Sequence, residues 1–104
     1  MEISGCVFAG NVARHVMTNG PGFGGAIDVG QASIESCTLI GNSGGEPGGV
    51  GGIRIDSGTV RNTILVQTAA GATCAGSGAS WSCCDLYENA SGNTICGIDG
   101  GGNF

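Results

Sequence analysis

Asp28, Arg54 and Asp56 are the residues whose types and spacing come closest to a reactive set. Two carboxylates flanking a glycosidic bond can act as general acid and general base. An Arg between them neutralises the carboxylates instead of tuning them apart, which leaves a thin site. The second reactive set is cysteine: Cys6, Cys37, Cys74, Cys83, Cys84 and Cys96. None forms a CxxC pair, and the lone His15 stands far from the rest, so no zinc site and no other cofactor is expected. Ser and Cys nucleophiles have no His at a matching position. Gly20 to Gly25 fits GxGxxG, but the residues that follow read as a strand where a dinucleotide site needs a helix. Gly48 to Asp56 has the outline of a calcium-binding nonapeptide, yet Ile53 stands where its Asp ligand belongs.

The elements that must position these residues are written in a recurring frame. "CVFAGN" (Cys6 to Asn11) returns as "CTLIGN" (Cys37 to Asn42) and "CDLYEN" (Cys84 to Asn89). Sliding the chain by 26 residues brings Ile27-Asp28-Val29 onto Ile53-Arg54-Ile55 and Cys37 to Ile40 onto Thr63 to Val66. Ile3, Cys6, Phe8 and Asn11 lie 31 residues before Ile34, Cys37, Leu39 and Asn42. Val60, Thr63 and Leu65 lie 21 residues before Trp81, Cys84 and Leu86. A period of 21–31 residues, with the extra length between Asn11 and Gly24, points to a solenoid.

The unit reads as β. Apolar residues alternate at Ile27/Val29 and Ile53/Ile55, and Gly is too frequent for helices. Each repeat has a Gly-rich approach, a strand, a short bend, a second strand, a sharper bend and a third strand ending at Asn. The alternation slips between Ile34 and Cys37. A bend at Ser36, matched by Gly5, Asn62 and Cys83, absorbs the slip. One turn of coil per period is a parallel β-helix of about three to four rungs.

"FAGN" (Phe8 to Asn11) with "GGAI" (Gly24 to Ile27) resembles the paired FxxN and GGA[ILV] repeats of chlamydial polymorphic outer-membrane proteins. More broadly the chain resembles the right-handed parallel β-helices of the pectate-lyase-like superfamily. The resemblance covers nearly the whole chain and implies an all-β solenoid. It implies less about activity, because that superfamily holds lyases, hydrolases, adhesins and passive stalks. Its lyases hold calcium and polarise a uronate with acidic clusters and an Arg, which makes Asp28, Arg54 and Asp56 the catalytic alternative.

In such a coil equivalent residues stack about 4.8 Å apart. Phe8, Leu39, Leu65 and Leu86 form one expected inward column. Ile3, Ile34, Val60 and Trp81 form a second, and Cys6, Cys37, Thr63 and Cys84 a third. Asn11, Asn42, Thr68 and Asn89 fall at a corner, where amides can bond along the stack. Asn89-Ala90-Ser91 also fits a glycosylation acceptor. Asp28 falls beside Arg54 and Glu35 beside Arg61, opposite charges that help to fix register. A disulfide involving Cys74, Cys83 or Cys96 would order "AGSGAS" and imply an oxidising compartment.

Composition limits the partners. Charged residues are 11%, Lys is absent and the net charge is −5, so no row of phosphates could be neutralised and nucleic acid is excluded as a partner. Gly supplies 23 of 104 residues, a share that would suggest disorder without the regular apolar spacing. No apolar run reaches the length of a membrane span, and "MEISGC" has no signal-peptide pattern. The expectation is a single β-helix segment over residues 1–104, part of a longer solenoid. Its expected role is structural or adhesive in a secreted or cell-surface protein. Polysaccharide or other surface molecules, and self-association through exposed rung edges, are the expected contacts. The alternative is a fragment of a polysaccharide lyase or glycoside hydrolase.

Overall fold

A computed structural model describes residues 1–13, 25–44 and 49–104. The "TNGPGF" segment, His15 and most of the GxGxxG match lie outside the described residues, as does the first residue of the nonapeptide match. The described residues form an all-β structure with no helix. Ten strands run in chain order: β1 (Glu2–Ser4), β2 (Val7–Ala9), β3 (Ile27–Glu35), β4 (Thr38–Ile40), β5 (Val50–Arg61), β6 (Ile64–Val66), β7 (Ala72–Ala75), β8 (Gly78–Ser82), β9 (Asp85–Tyr87) and β10 (Ile98–Gly101). Among the described residues no helix is long and apolar enough to cross a membrane.

The strands divide between two parallel sheets. The six-stranded sheet has the order β1-β3-β5-β8-β10, with β7 also paired to β5. The four-stranded sheet has the order β2-β4-β6-β9. Apart from β7 and β8, which follow each other in the larger sheet, successive strands alternate between the sheets. Each strand therefore pairs with one that comes a full sequence period later.

Register follows the sequence repeat. Ile3 pairs with Ile34 and Phe8 with Leu39. Ile27 pairs with Ile53 and Ile34 with Val60, all in parallel. Leu39 pairs with Leu65, and then Val60 with Trp81 and Leu65 with Leu86. A further step lies beyond the expected repeat: Ile98 pairs with Ser80 and Asp99 with Trp81.

Burial explains why this register is held. Ile34, Ile53, Ile55, Val60 and Trp81 from the larger sheet, and Leu39, Leu65 and Leu86 from the smaller, form one cluster. Strand side chains alternate between faces, so a slip of one residue would turn this whole set outward. Each fully buried side chain of this size contributes roughly 1.5–3 kcal/mol.

The bends use left-handed backbone. Gly5, Ser36, Asn62 and Cys83 have φ of 61°, 56°, 48° and 53°. Gly10, Gly41, Gln67 and Glu88 repeat this at the next corner, with φ of 67°, 66°, 57° and 54°. Five of these eight carry a side chain in a conformation costing roughly 1–2 kcal/mol for an L residue. Neighbouring turns hold the chain there: Gly5 N–H donates to the Glu35 carbonyl at 3.0 Å, and Ser36 N–H to that of Arg61 at 3.1 Å.

Two details differ from the sequence expectation. The first and second strands of a turn run together as single strands in β3 and β5; the ladder breaks only between β7 and β8, at Gly76 and Ser77. Gly58, with φ of 112°, is what lets β5 turn without breaking: a Cβ there would lie 1.9 Å from the Ala32 carbonyl oxygen. Cys6 is exposed while Cys37 and Cys84 are buried. It precedes β2, which lies at the edge of its sheet and has a partner on one side.

Candidate functional site

The corner after each short strand carries a side-chain ladder. Asn11 donates to Asn42 Oδ1 from its backbone N–H at 2.9 Å and from its amide at 3.1 Å. Asn42 Nδ2 in turn donates to the Phe8 carbonyl at 2.9 Å. Two turns on, Thr68 N–H donates to Asn89 Oδ1 at 2.9 Å, and Asn89 Nδ2 donates to the Leu65 carbonyl at 3.0 Å. An amide suits this corner because it accepts and donates at once, filling two backbone needs left by the turn. Asn42 and Asn89 are buried. The Asn89 amide is therefore spent on the fold, and the folded chain does not present it as a glycosylation acceptor.

The column after the first bend works similarly. Cys37 Sγ donates to the Glu35 carbonyl at 3.3 Å, and Cys84 Sγ to that of Ser82 at 3.3 Å. Thr63 Oγ1 makes the same contact with Arg61 at 2.8 Å. A thiol and a hydroxyl thus do one job at equivalent positions. Burial pushes the Cys84 thiol above its ordinary pKa, since a thiolate there would lose its hydration.

Sequence reasoning missed two members of these ladders. Asn93 Oδ1 accepts from both the N–H and the Nδ2 of Asn89, each at 3.0 Å. Asn103 Oδ1 accepts from Cys84 N–H at 3.0 Å, while Asn103 Nδ2 donates to the Trp81 carbonyl at 2.9 Å. The usable signal was the dipeptide Gly-Asn. Gly92-Asn93 and Gly102-Asn103 repeat Gly10-Asn11 and Gly41-Asn42, and each Gly has positive φ.

The charged residues meet across β3 and β5. Arg54 lies 2.8 Å from Asp28 and Arg61 lies 2.7 Å from Glu35. Hydrogen bonding to Asp28, its charge and, more weakly, that of Asp56 raise the Arg54 pKa; Glu35 does the same for Arg61. Both pairs are solvent-exposed, so water screens them. Asp56 is exposed two residues along β5 from Arg54. The trio therefore shares one outer surface, with one carboxylate already in an ion pair. A depression of about 310 Å³ lies elsewhere, lined by Met1, Gln31, Ala32, Ser33, Gly58 and Thr59. Among the described residues no group of three or more His, Cys, Asp or Glu is placed to hold a metal ion.

Of the three candidate disulfide residues, Cys74 and Cys96 are joined, with their Cα atoms 5.8 Å apart. Cys83 is free and exposed. Cys83 occupies the left-handed bend position, which faces solvent, whereas Cys74 pairs with Ile53 in the column begun by Ile27. No protein-family model matches the chain, and no curated protein or solved structure is similar to it.

Proposed function

We propose that the chain forms consecutive turns of a right-handed parallel β-helix whose role is structural or adhesive. It would give length, stiffness and a contact face to a secreted or cell-surface protein. The observation that carries this reading is one register held in two sheets at once: Ile34 opposite Val60 in one, Leu39 opposite Leu65 in the other. Alternation of successive strands between parallel sheets supports a coil, and parallel crossovers are right-handed in nearly all proteins. The motif resemblance to polymorphic outer-membrane proteins and pectate-lyase-like proteins points the same way.

The polar side chains favour scaffold over catalyst. The buried Asn, Thr and Cys residues of the ladders satisfy neighbouring turns, and Asp28 is neutralised on an exposed surface. The Asp28, Arg54 and Asp56 surface remains the basis of the alternative, a polysaccharide lyase or glycoside hydrolase.

Two measurements test the reading. Single-molecule stretching should unravel the chain in steps of one turn, as expected when each turn contacts only its neighbours. Incubation with acidic and neutral polysaccharides, with calcium present, should release no product. Turnover that Arg54→Ala abolishes would overturn the non-catalytic reading and establish the alternative.

A further inference from the structure

The Cys74–Cys96 bond joins two parts of the chain that differ in how they are held. Cys74 lies on β7, is 5% exposed and packs in the core cluster. Cys96 is half-buried, in a turn whose neighbours from Ser91 to Thr94 and from Gly97 to Gly102 are exposed. Ile95 and Cys96 are the apolar residues by which this turn packs against the core. Its other ties include Thr73 Oγ1 donating to the Gly92 carbonyl at 2.7 Å, Ser91 Oγ to Gly71 at 2.8 Å, and the two bonds of Asn103. A cleft of about 200 Å³ reaches the disulfide, with Thr73, Ser91 and Thr94 supplying hydroxyls to its lining.

We propose that Cys74–Cys96 is an exchangeable disulfide, opened at Cys96 by a small thiol entering this cleft, and that it latches residues 91–104 onto the rest of the fold. The incoming thiolate attacks Cys96 Sγ and forms a mixed disulfide. The Cys74–Cys96 bond breaks, its electron pair goes to Cys74 Sγ, and that thiolate takes a proton from water. A second thiol resolves the mixed disulfide, leaving two cysteine thiols and one oxidised small-molecule disulfide. Attack falls on Cys96 because access selects the sulfur attacked, and Cys74 lies behind it. Release uncovers Trp81, which is fully buried, pairs with Asp99 of β10 and belongs to the cluster that Ile95 and Cys96 cover.

The full chain with Cys6→Ser and Cys83→Ser, which remove the two exposed free thiols, is treated with reduced glutathione without denaturant. Samples quenched in acid are mapped by mass spectrometry, and emission of the single Trp is followed in parallel. The adduct is expected first on Cys96, with a red shift of Trp81 emission. Amide protection should be lost over residues 91–104 and kept over residues 27–66. Cys96→Ser should reproduce the shifted emission without glutathione. An adduct first on Cys74, resistance of the bond until the whole chain unfolds, or reduction that changes neither emission nor protection would overturn the proposal.

Discussion

Asn42 receives two hydrogen bonds from Asn11, at 2.9 and 3.1 Å, on the same side-chain oxygen. The two residues are 31 apart in sequence and one turn apart in the structure. With its amide nitrogen on the Phe8 carbonyl, Asn42 ties the turn that contains it to the turn before.

Asn42→Ala should therefore be costly. It removes a buried donor and acceptor together and leaves the Phe8 carbonyl without its partner. A loss of about 1–3 kcal/mol is expected from urea denaturation. Asn11→Ala, at an exposed position where water can replace the amide, should cost less.

Two glycines with positive φ should respond differently to substitution. Gly58→Ala drives a methyl group into the Ala32 carbonyl and is expected to cost about 2–4 kcal/mol. A Cβ at Gly41 meets nothing within 4 Å, and the equivalent corner positions hold Gln67 and Glu88. Gly41→Asn should stay within about 1 kcal/mol, because Asn tolerates this backbone better than most residues. Thermal melts of the two variants check the contrast.

Reversing the exposed pair, as Glu35→Arg with Arg61→Glu, should leave the denaturation midpoint unchanged. Arg61→Glu alone places two carboxylates on neighbouring strands and should lower it, more so at low salt. A large loss in the double variant would mean that the pair does more than hold register.

The Cys84 thiol is held protonated by burial, so its folded pKa lies above the value of 9.0 expected without that burial. The folded state therefore binds this proton more tightly than the unfolded chain does. The resulting stability is complete below pH 9.0 and is lost as pH rises through the raised folded value. Cys84→Thr, which copies Thr63 in the same column, should remove that part of the alkaline slope. Iodoacetamide at neutral pH should label Cys6 and Cys83 and spare Cys84, the immediate neighbour of Cys83.

The register was legible because apolar and polar residues repeat together. Ile27 and Ile53, or Leu39 and Leu65, are identifiable as partners before any coordinates, and so are Asp28 with Arg54 and Glu35 with Arg61. The bends at Gly5, Ser36, Asn62 and Cys83 were legible from the slip in alternation. Other features depend on three-dimensional neighbours. Which cysteine faces Cys74 depends on how tightly the final turn winds, and its step from Ser80 to Ile98 is shorter than the repeats before it. Strand merging in β3 and β5 depends on the close approach of Gly58 to Ala32, which pattern alone does not disclose. Exposure of Cys6 depends on its place at a sheet edge, a property of stacking order and not of residue type.

One register running through both sheets is tested most directly by inter-strand nuclear Overhauser contacts in the isotopically labelled chain. Contacts linking Ile27 with Ile53, Ile34 with Val60 and Leu39 with Leu65, in the pattern of parallel strands, are the predicted result. Hα–Hα contacts of antiparallel pairing, or a register shifted by one residue in either sheet, would contradict it.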